Sequence, residues 1–270
     1  MSTLYIVSTP IGNLDDITLR AIDILKKSDI IACENPNKSQ KLLNKLNIRK
    51  KLIKYNEGNK EQAVQKILKY LKNNKNISYI SDAGTPGISD PGYRLINKTI
   101  ELNFPIVPVP GASALTTFIM GSGIPTDKFM FQGFLPKKTK KIKDIFYRIK
   151  SLNITTIFYI SKHNIYKFIT LFKEIFGNRE IVIGRELTKL HEEFTRGKIN
   201  GIEDKITNNI RGEYTIAIPK IKYEAYEDKN NIVEKALKLK NDFSPSDISK
   251  ILSKLYDINR REIYNLLKNI

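Results

Sequence analysis

Short runs rich in β-branched and aromatic residues recur along this chain, and between most of them apolar residues return every three or four positions. The first pattern predicts half-buried or buried strands and the second amphipathic helices. Strands are expected at residues 4–8, 30–33, 51–55, 77–81 and 106–109. The first helix is expected to start from a cap at Asp16, with Ile17, Ala21, Ile22 and Leu25 on one face, and others near 60–72 and 92–102. Strands alternating with helical crossovers build a parallel sheet, so residues 1–120 read as one α/β domain.

After Gly121-Ser-Gly-Ile-Pro125 the pattern restarts. Strands are expected at 129–133, 155–160, 180–185, 193–196 and 213–218, with helices near 142–150, 163–176 and 201–208. Some of these connections are too short for a crossover helix, which predicts mixed strand directions in a second α/β domain over 121–222. Residues 219–231 are polar and charged, like a linker. Short amphipathic helices at 232–239, 245–255 and 260–267 would then form a helical extension over 223–270. No fixed-period repeat is evident.

Composition narrows the class. Of 270 residues, 41% are hydrophobic and 27% charged, and no apolar run approaches the roughly 18 residues of a membrane span. Residues 1–7 enter a strand pattern at once, so no export signal or membrane partner is expected. Cys33, the single cysteine, excludes internal disulfides and fits a reducing, cytoplasmic compartment; it reads as a small buried strand residue. Net charge is +18, a field that attracts polyanions. The chain is also rich in Lys, Asn and Ile, whose codons are A- and T-rich, so genome composition is a second source of that charge. The run Pro136-Lys-Lys-Thr-Lys-Lys-Ile-Lys143 reads either as a solvated loop or as a strip that contacts phosphates.

Familiar nucleotide and zinc motifs are absent, and His163 and His191 lack companion ligands at metal spacing, so no metal is expected. What the chain carries instead is a set of Gly- and Pro-rich segments, each directly after an expected strand, where ligands bind in open α/β sheets. They are Thr9-Pro-Ile-Gly-Asn-Leu14, Ser81-Asp-Ala-Gly-Thr-Pro-Gly-Ile-Ser-Asp-Pro-Gly92 and Pro110-Gly-Ala-Ser-Ala114. In the second, three glycines and two prolines fix an unusual backbone path, while Ser81, Asp82, Thr85, Ser89 and Asp90 supply short polar groups. A helix cap would account for residues 90–92 alone. A carboxylate such as Asp82 suits a ligand's ammonium or ribose hydroxyls, whereas a phosphate would favour a cation that this stretch lacks until Arg94.

Those three segments, with Pro125-Thr-Asp127, Gly133-Phe-Leu-Pro136 and Arg185-Glu-Leu-Thr-Lys-Leu-His-Glu-Glu193, resemble the ribosomal RNA small subunit methyltransferase I family, in register over about residues 4–218. The resemblance implies the tetrapyrrole methylase fold, a class III methyltransferase: two α/β domains with a cofactor cleft between them. It implies S-adenosyl-L-methionine as cofactor, a homodimer, and methyl transfer to the ribose 2′-oxygen of a cytidine in 16S rRNA of the small ribosomal subunit. By position it implies a cofactor pocket lined by Pro10, Gly12 and Asn13, by Ser81, Asp82, Ala83, Gly84, Thr85 and Pro86, and by Gly111, Ala112 and Ser113. Arg185 and Glu186 would face that pocket from the second domain.

Methyl transfer from a sulfonium is an in-line displacement, and a ribose hydroxyl needs a base or a charge that stabilises the emerging oxyanion. Glu34, after the second strand, is the expected base and Lys189 the expected electrostatic stabiliser. A surface carboxylate is the other reading of Glu34, a structural salt bridge that of Arg185 and Glu186, and a loop histidine that of His191. The chain departs from the family at three places. Glu34-Asn35-Pro36-Asn37 stands for Glu-Asp-Thr-Arg, with a proline in the turn; Tyr159-Ile-Ser-Lys-His-Asn164 stands for Tyr-Glu-Ser-Pro-His-Arg; and Tyr55-Asn-Glu57-Gly58 lacks a histidine. These departures keep open a ribosome-binding or assembly protein that has lost catalysis, and the fold implied by the resemblance keeps open a methylase acting on a tetrapyrrole or a protein.

Overall fold

The computed structural model describes residues 2–207, 210–221, 234, 236–240, 242–256 and 259–268. Residues Met1–Lys220 form one compact unit and Ile221–Ile270 another.

The first unit contains two five-stranded sheets. In the first, β1 (Leu4–Val7), β2 (Ile30–Cys33), β3 (Lys51–Lys54), β4 (Ile77–Ile80) and β5 (Ile106–Val109) lie in the order β3-β2-β4-β1-β5, all parallel. Every residue of β2 and β4 is buried, as in parallel strands covered by crossover helices; β2 is wholly apolar, and the one serine of β4, Ser78, is hydrogen-bonded to Ser28. The crossovers are α1 (Leu19–Lys27), α2 (Pro36–Lys45), α3 (Lys60–Lys72) and α4 (Tyr93–Glu101). Because β1 sits between β4 and β5, the segments leaving these three strands emerge side by side at the carboxyl edge, where the strand order reverses.

Two helix starts differ from the sequence-based expectation. Residues Leu14–Asp16 form a 3-10 turn, and α1 is capped by Thr18, whose hydroxyl accepts the Ala21 N–H at 3.1 Å, so Asp16 is not the cap. The proline expected to lie in a turn instead opens α2: Pro36 occupies the first helical position, where its missing N–H loses nothing, and Asn35 caps it by accepting from Asn37 N–H.

The second sheet runs β6-β7-β10-β8-β9, from β6 (Phe129–Phe134), β7 (Thr155–Ser161), β8 (Glu180–Arg185), β9 (Glu193–Lys198) and β10 (Glu213–Ile218). Only β6 and β7 pair in parallel; the rest are antiparallel. One face is covered by α6 (Thr139–Leu152), α7 (Ile165–Phe176) and α8 (Ile199–Thr207), over a core that includes Phe146, Phe158, Phe168 and Phe172. The lysine-rich run is therefore part loop and part the first turn of α6, and Lys143 pairs with Glu174.

The other face is covered by α5 (Ala114–Ser122), a helix with no counterpart among the expected elements. It follows β5 of the first sheet yet packs on the second, where Phe118 is buried with Ile157, Val182, Leu187 and Ala217. Gly184 makes this approach possible, since a Cβ there would sit 2.8 Å from the Phe118 ring. Ile11 of the first rim segment packs into the same cluster.

In the second unit, α9 (Pro245–Tyr256) and α10 (Arg260–Lys268) bury Ile248, Leu252 and Ile263 with Ala236. The expected linker at 219–231 and the start of the expected helix at 232–239 fall largely outside the described residues. No helix among the described residues is long and apolar enough to cross a membrane.

Candidate active site

The three Gly- and Pro-rich segments meet. Thr9 and Gly84 exchange backbone hydrogen bonds at 2.9 and 3.0 Å, and Thr85 Oγ1 donates to the Ala112 carbonyl at 3.0 Å while touching Ser8 Oγ at 3.0 Å. Gly84 holds φ +81°, a left-handed conformation that a side chain would strain, and a Cβ at Gly111 would press on Ser8 at 3.0 Å. Glycine is required at both positions for close contact between neighbouring segments.

Beneath this rim lies a cavity of about 330 Å³, within the size range of small-molecule sites. Its first wall belongs to the parallel sheet: Ile11, Glu34, Lys38, residues 82–85, residues 88–90, Ser113 and Ala114. Its second wall comes from the mixed sheet: Phe134, residues 159–161 and residues 213–215. Gly133 of β6 sits so close to Ser89 that a Cβ would lie 3.1 Å from its hydroxyl, which ties the second rim segment to the opposite sheet.

Register explains how the acidic groups gather. Cys33 of β2 pairs with Ile80 of β4, so Glu34 and residues 81–82 continue side by side beyond the strand ends. The Asp82 backbone N–H donates to the Glu34 carboxylate. From the first turn of α2, Lys38 reaches Asp82 Oδ2 at 2.9 Å, and this contact holds the lysine pKa above its ordinary value. Burial pushes the Glu34 carboxyl up, and the Asp82 charge adds to it. Asp90 is pushed up to about 6 by burial, with Glu34 and Asp82 adding repulsion and the Ser81 hydroxyl opposing the shift. Asp82 Oδ1 is buried without a hydrogen-bond partner, a state that is costly unless something donates to it.

Residues 3–203 match the family described as Tetrapyrrole (Corrin/Porphyrin) Methylases. Over 98% of its length the chain is 43% identical to the protein named Ribosomal RNA small subunit methyltransferase I from Rickettsia prowazekii, covering 96% of that protein. The protein of the same name from Bacillus subtilis is 42% identical over 81% of this chain and 75% of its own. The chain belongs to the tetrapyrrole methylases, within the ribosomal RNA small subunit methyltransferase I family. Solved structures carry the same fold. A diphthine synthase superposes with a TM-score of 0.67 at 12% identity, over 81% of this chain and 90% of that one. A cobalt precorrin-4 methyltransferase does so with a TM-score of 0.60 at 18% identity, over 80% and 93%.

Of the residues expected at the methylase's site, Glu34, Asp82, Ala83, Gly84, Thr85 and Ser113 line the cavity. The others support it or lie outside. Ser81 and Pro86 are buried behind the wall, and Gly111 and Ala112 brace it through Ser8 and Thr85. From the first segment Ile11 enters the wall, while Asn13 is spent on capping the 3-10 turn at Asp15 and on a bond to Thr188 Oγ1. Gly12 packs so tightly on Lys189 that a Cβ would collide with its side chain.

The segment after β8 does not present its charges to the cavity, contrary to the expectation for Arg185, Glu186 and Lys189. Glu186 and Thr188 adopt φ +49° and +65°, which curls the chain back on itself. Arg185 pairs with Glu193 at 2.8 Å, and Lys189 with Glu186 at 2.8 Å and Glu213 at 3.3 Å. Burial would raise the Glu186 carboxyl, but Lys189 and the Glu213 N–H outweigh it and lower its pKa. His191 is exposed and outside the wall.

Sequence reasoning missed Lys38, Phe134, Tyr159 and Glu213. Lys38 was legible in principle, since Asn35-Pro36 is a cap followed by a first-turn proline that announces a helix pointing its amino end at the strand edge. Tyr159 and Glu213 depend on how a second sheet docks, which no local pattern encodes.

Proposed function

We propose that the cavity binds S-adenosyl-L-methionine and that the protein transfers its methyl group to the ribose 2′-oxygen of a cytidine in 16S rRNA. The observation that carries the cofactor assignment is the buried, unpartnered Asp82 Oδ1 at a rim of three converging strand-end segments. A ligand with an ammonium, ribose hydroxyls and a sulfonium brings donors and positive charge to a wall rich in carboxylates, so the residues present fit that group. The cofactor, when bound, supplies an activated methyl carbon. Asp82 would accept from its polar groups, and Ile11, Ala83, Gly84 and Ala114 would exclude water from its apolar parts.

The RNA acceptor is supported by the name of the relative aligned over almost the whole chain and by a net charge of +18. In this reading the protein works in the cytoplasm on the small ribosomal subunit, as a homodimer. The large apolar side chains of Met120 and Leu190, 85% and 93% exposed in the single chain, support a partner copy. A monomer in light scattering at working concentration would remove the dimer from the proposal. The division at residues 120 and 222 is kept as a functional division: rim, docking sheet, and a helical extension that meets RNA.

The test is transfer of a labelled methyl to purified small subunits lacking the modification, followed by nucleoside mass spectrometry. Label in 2′-O-methylcytidine is the expected result. Cofactor binding with no transfer to any ribosomal particle would favour a catalytically silent ribosome-binding protein.

A further inference from the structure

Four carboxylates line the cavity, Glu34, Asp82, Asp90 and Glu213, and they are not equivalent: Glu213 pairs with Lys189 at 3.3 Å. Asp82 is held by Lys38 through Oδ2, and Glu34 is occupied by the Asp82 N–H and lies within the field of Lys38. Asp90 has neither kind of partner: the nearby Ser81 hydroxyl donates to the Ala83 carbonyl at 3.3 Å, and among the described residues no lysine or arginine forms an ion pair with Asp90. We propose that Asp90 is the catalytic base, taking the proton from the acceptor hydroxyl as methyl transfer occurs. This assignment rests on the proposed function and replaces Glu34, the base expected from the sequence.

Position supports it. Asp90 lies on the long second rim segment where Ser89, at φ +63°, packs against Gly133, so the carboxylate stands at the junction of the two sheets. Across the cavity stand Phe134 and Tyr159 of the mixed sheet, whose rings pack edge to face at 5.5 Å. Strained backbone of this kind is kept where a side chain must be aimed.

The charged and titratable neighbours act consistently. Glu34 and Asp82 on the parallel sheet repel a negative Asp90, and the hydroxyls of Tyr79 and Tyr159 feel its charge. Lys38 and Glu213 line the same cavity. Burial, with the Glu34 and Asp82 charges adding to it and the Ser81 hydroxyl opposing it, holds Asp90 at about 6. It is therefore ionised at neutral pH yet basic enough to accept a proton, whereas an ordinary aspartate would be a weaker base.

In the step itself the acceptor O–H bond breaks as its proton passes to the Asp90 carboxylate. The freed oxygen lone pair forms the new bond to the methyl carbon, and the carbon–sulfur pair remains on sulfur as a neutral thioether. The proton then leaves Asp90 for solvent.

The test is single-turnover methyl transfer to small subunits from about pH 5 to about pH 8, with wild type, Asp90→Asn, Asp90→Glu and Glu34→Gln. Calorimetry with S-adenosylhomocysteine runs alongside. The wild-type rate should fall as pH drops through about 6, where Asp90 takes up its proton. Asp90→Asn should lower the rate about 10²- to 10⁴-fold and flatten that acidic limb. Its affinity for S-adenosylhomocysteine should stay within about threefold, which separates a lost base from a lost site. Asp90→Glu should recover part of the rate with the limb restored, and Glu34→Gln should keep the limb. Transfer by Asp90→Asn at near wild-type rate, a limb that survives in it, a limb lost in Glu34→Gln, or loss of S-adenosylhomocysteine binding by Asp90→Asn would each overturn the assignment. No transfer by the wild type would sink the parent reading and this one with it; wild-type transfer with any of those results sinks only the role of Asp90.

Discussion

Two strand-end regions of this methylase carry polar and charged residues in dense runs, and the structure treats them in opposite ways. At the carboxyl edge of the parallel sheet, residues 81–92 leave Asp82 Oδ1 unpartnered, and Asp90 has no ion pair among the described residues. At the end of β8, Arg185 pairs with Glu193, and Lys189 with Glu186 and with Glu213 of β10, which lines the cavity. Both runs carry positive φ at non-glycine residues. What marks the first run as a binding wall is that Asp82, held by Lys38 through Oδ2, turns its other oxygen to the cavity with no donor on it. A matched, part-exposed pair contributes little by itself, while an unmatched buried acceptor is unfavourable until a ligand donates to it.

The two regions are joined through α5, so the strongest way to break the contrast is to loosen that joint. Phe118→Ala empties a fully buried ring position between α5 and the mixed sheet. It should destabilise the fold by about 3–5 kcal/mol, measured by denaturant unfolding, and weaken cofactor binding in parallel. A loss under about 1 kcal/mol would mean that α5 does not hold the sheets in register.

Replacing the five lysines of the 137–143 run with alanine tests where the RNA-facing charge lies. Affinity for RNA should fall at low salt and converge with the parent at high salt. The salt slope should become shallower by roughly 0.7–0.9 for each phosphate that the run neutralises. An unchanged slope would return the run to ordinary solvated surface.

A smaller effect should appear in stability against pH. The folded pKa of Asp90, about 6, lies above its ordinary 3.8, so its contribution to stability is fully present below about 4 and is lost as pH rises through about 6. The melting temperature of Asp90→Asn relative to wild type should therefore rise between those values. A difference independent of pH would show that Asp90 is not desolvated.

The smallest change is expected from Lys189→Met. Its ammonium is already committed to Glu186 and Glu213, so affinity for S-adenosylhomocysteine should shift by less than about threefold. A tenfold loss would bring the β8 segment into the binding wall after all.

Much of the parallel half was legible because its signals are local. Apolar runs marked the strands, and Gly84 and Gly111 stood where backbone must turn or touch backbone. The convergence of the three segments followed from a general rule about parallel sheets. The ion pairs of the β8 segment were not legible because pairing depends on which side chains meet after folding, and the same residues serve equally well as ligands or as a brace. Helix α2 was hidden by placing Pro36 in a turn, when it stands in the first turn of a helix, where proline is tolerated. Helix α5 was hidden because Ala114-Leu-Thr-Thr-Phe-Ile-Met120 is apolar nearly all round and shows no strong face. That helix brings Phe134, Tyr159 and Glu213 over the rim, so the second wall of the cavity was out of reach of local pattern.

The contrast between Asp82 and Lys189 is measured most directly by calorimetry with S-adenosylhomocysteine. One molecule should bind per chain, Asp82→Ala should weaken it by about 1–3 kcal/mol, and Lys189→Met should leave it nearly unchanged. Undiminished binding by Asp82→Ala together with loss in Lys189→Met would place the methyl donor elsewhere and contradict the assignment of the cavity.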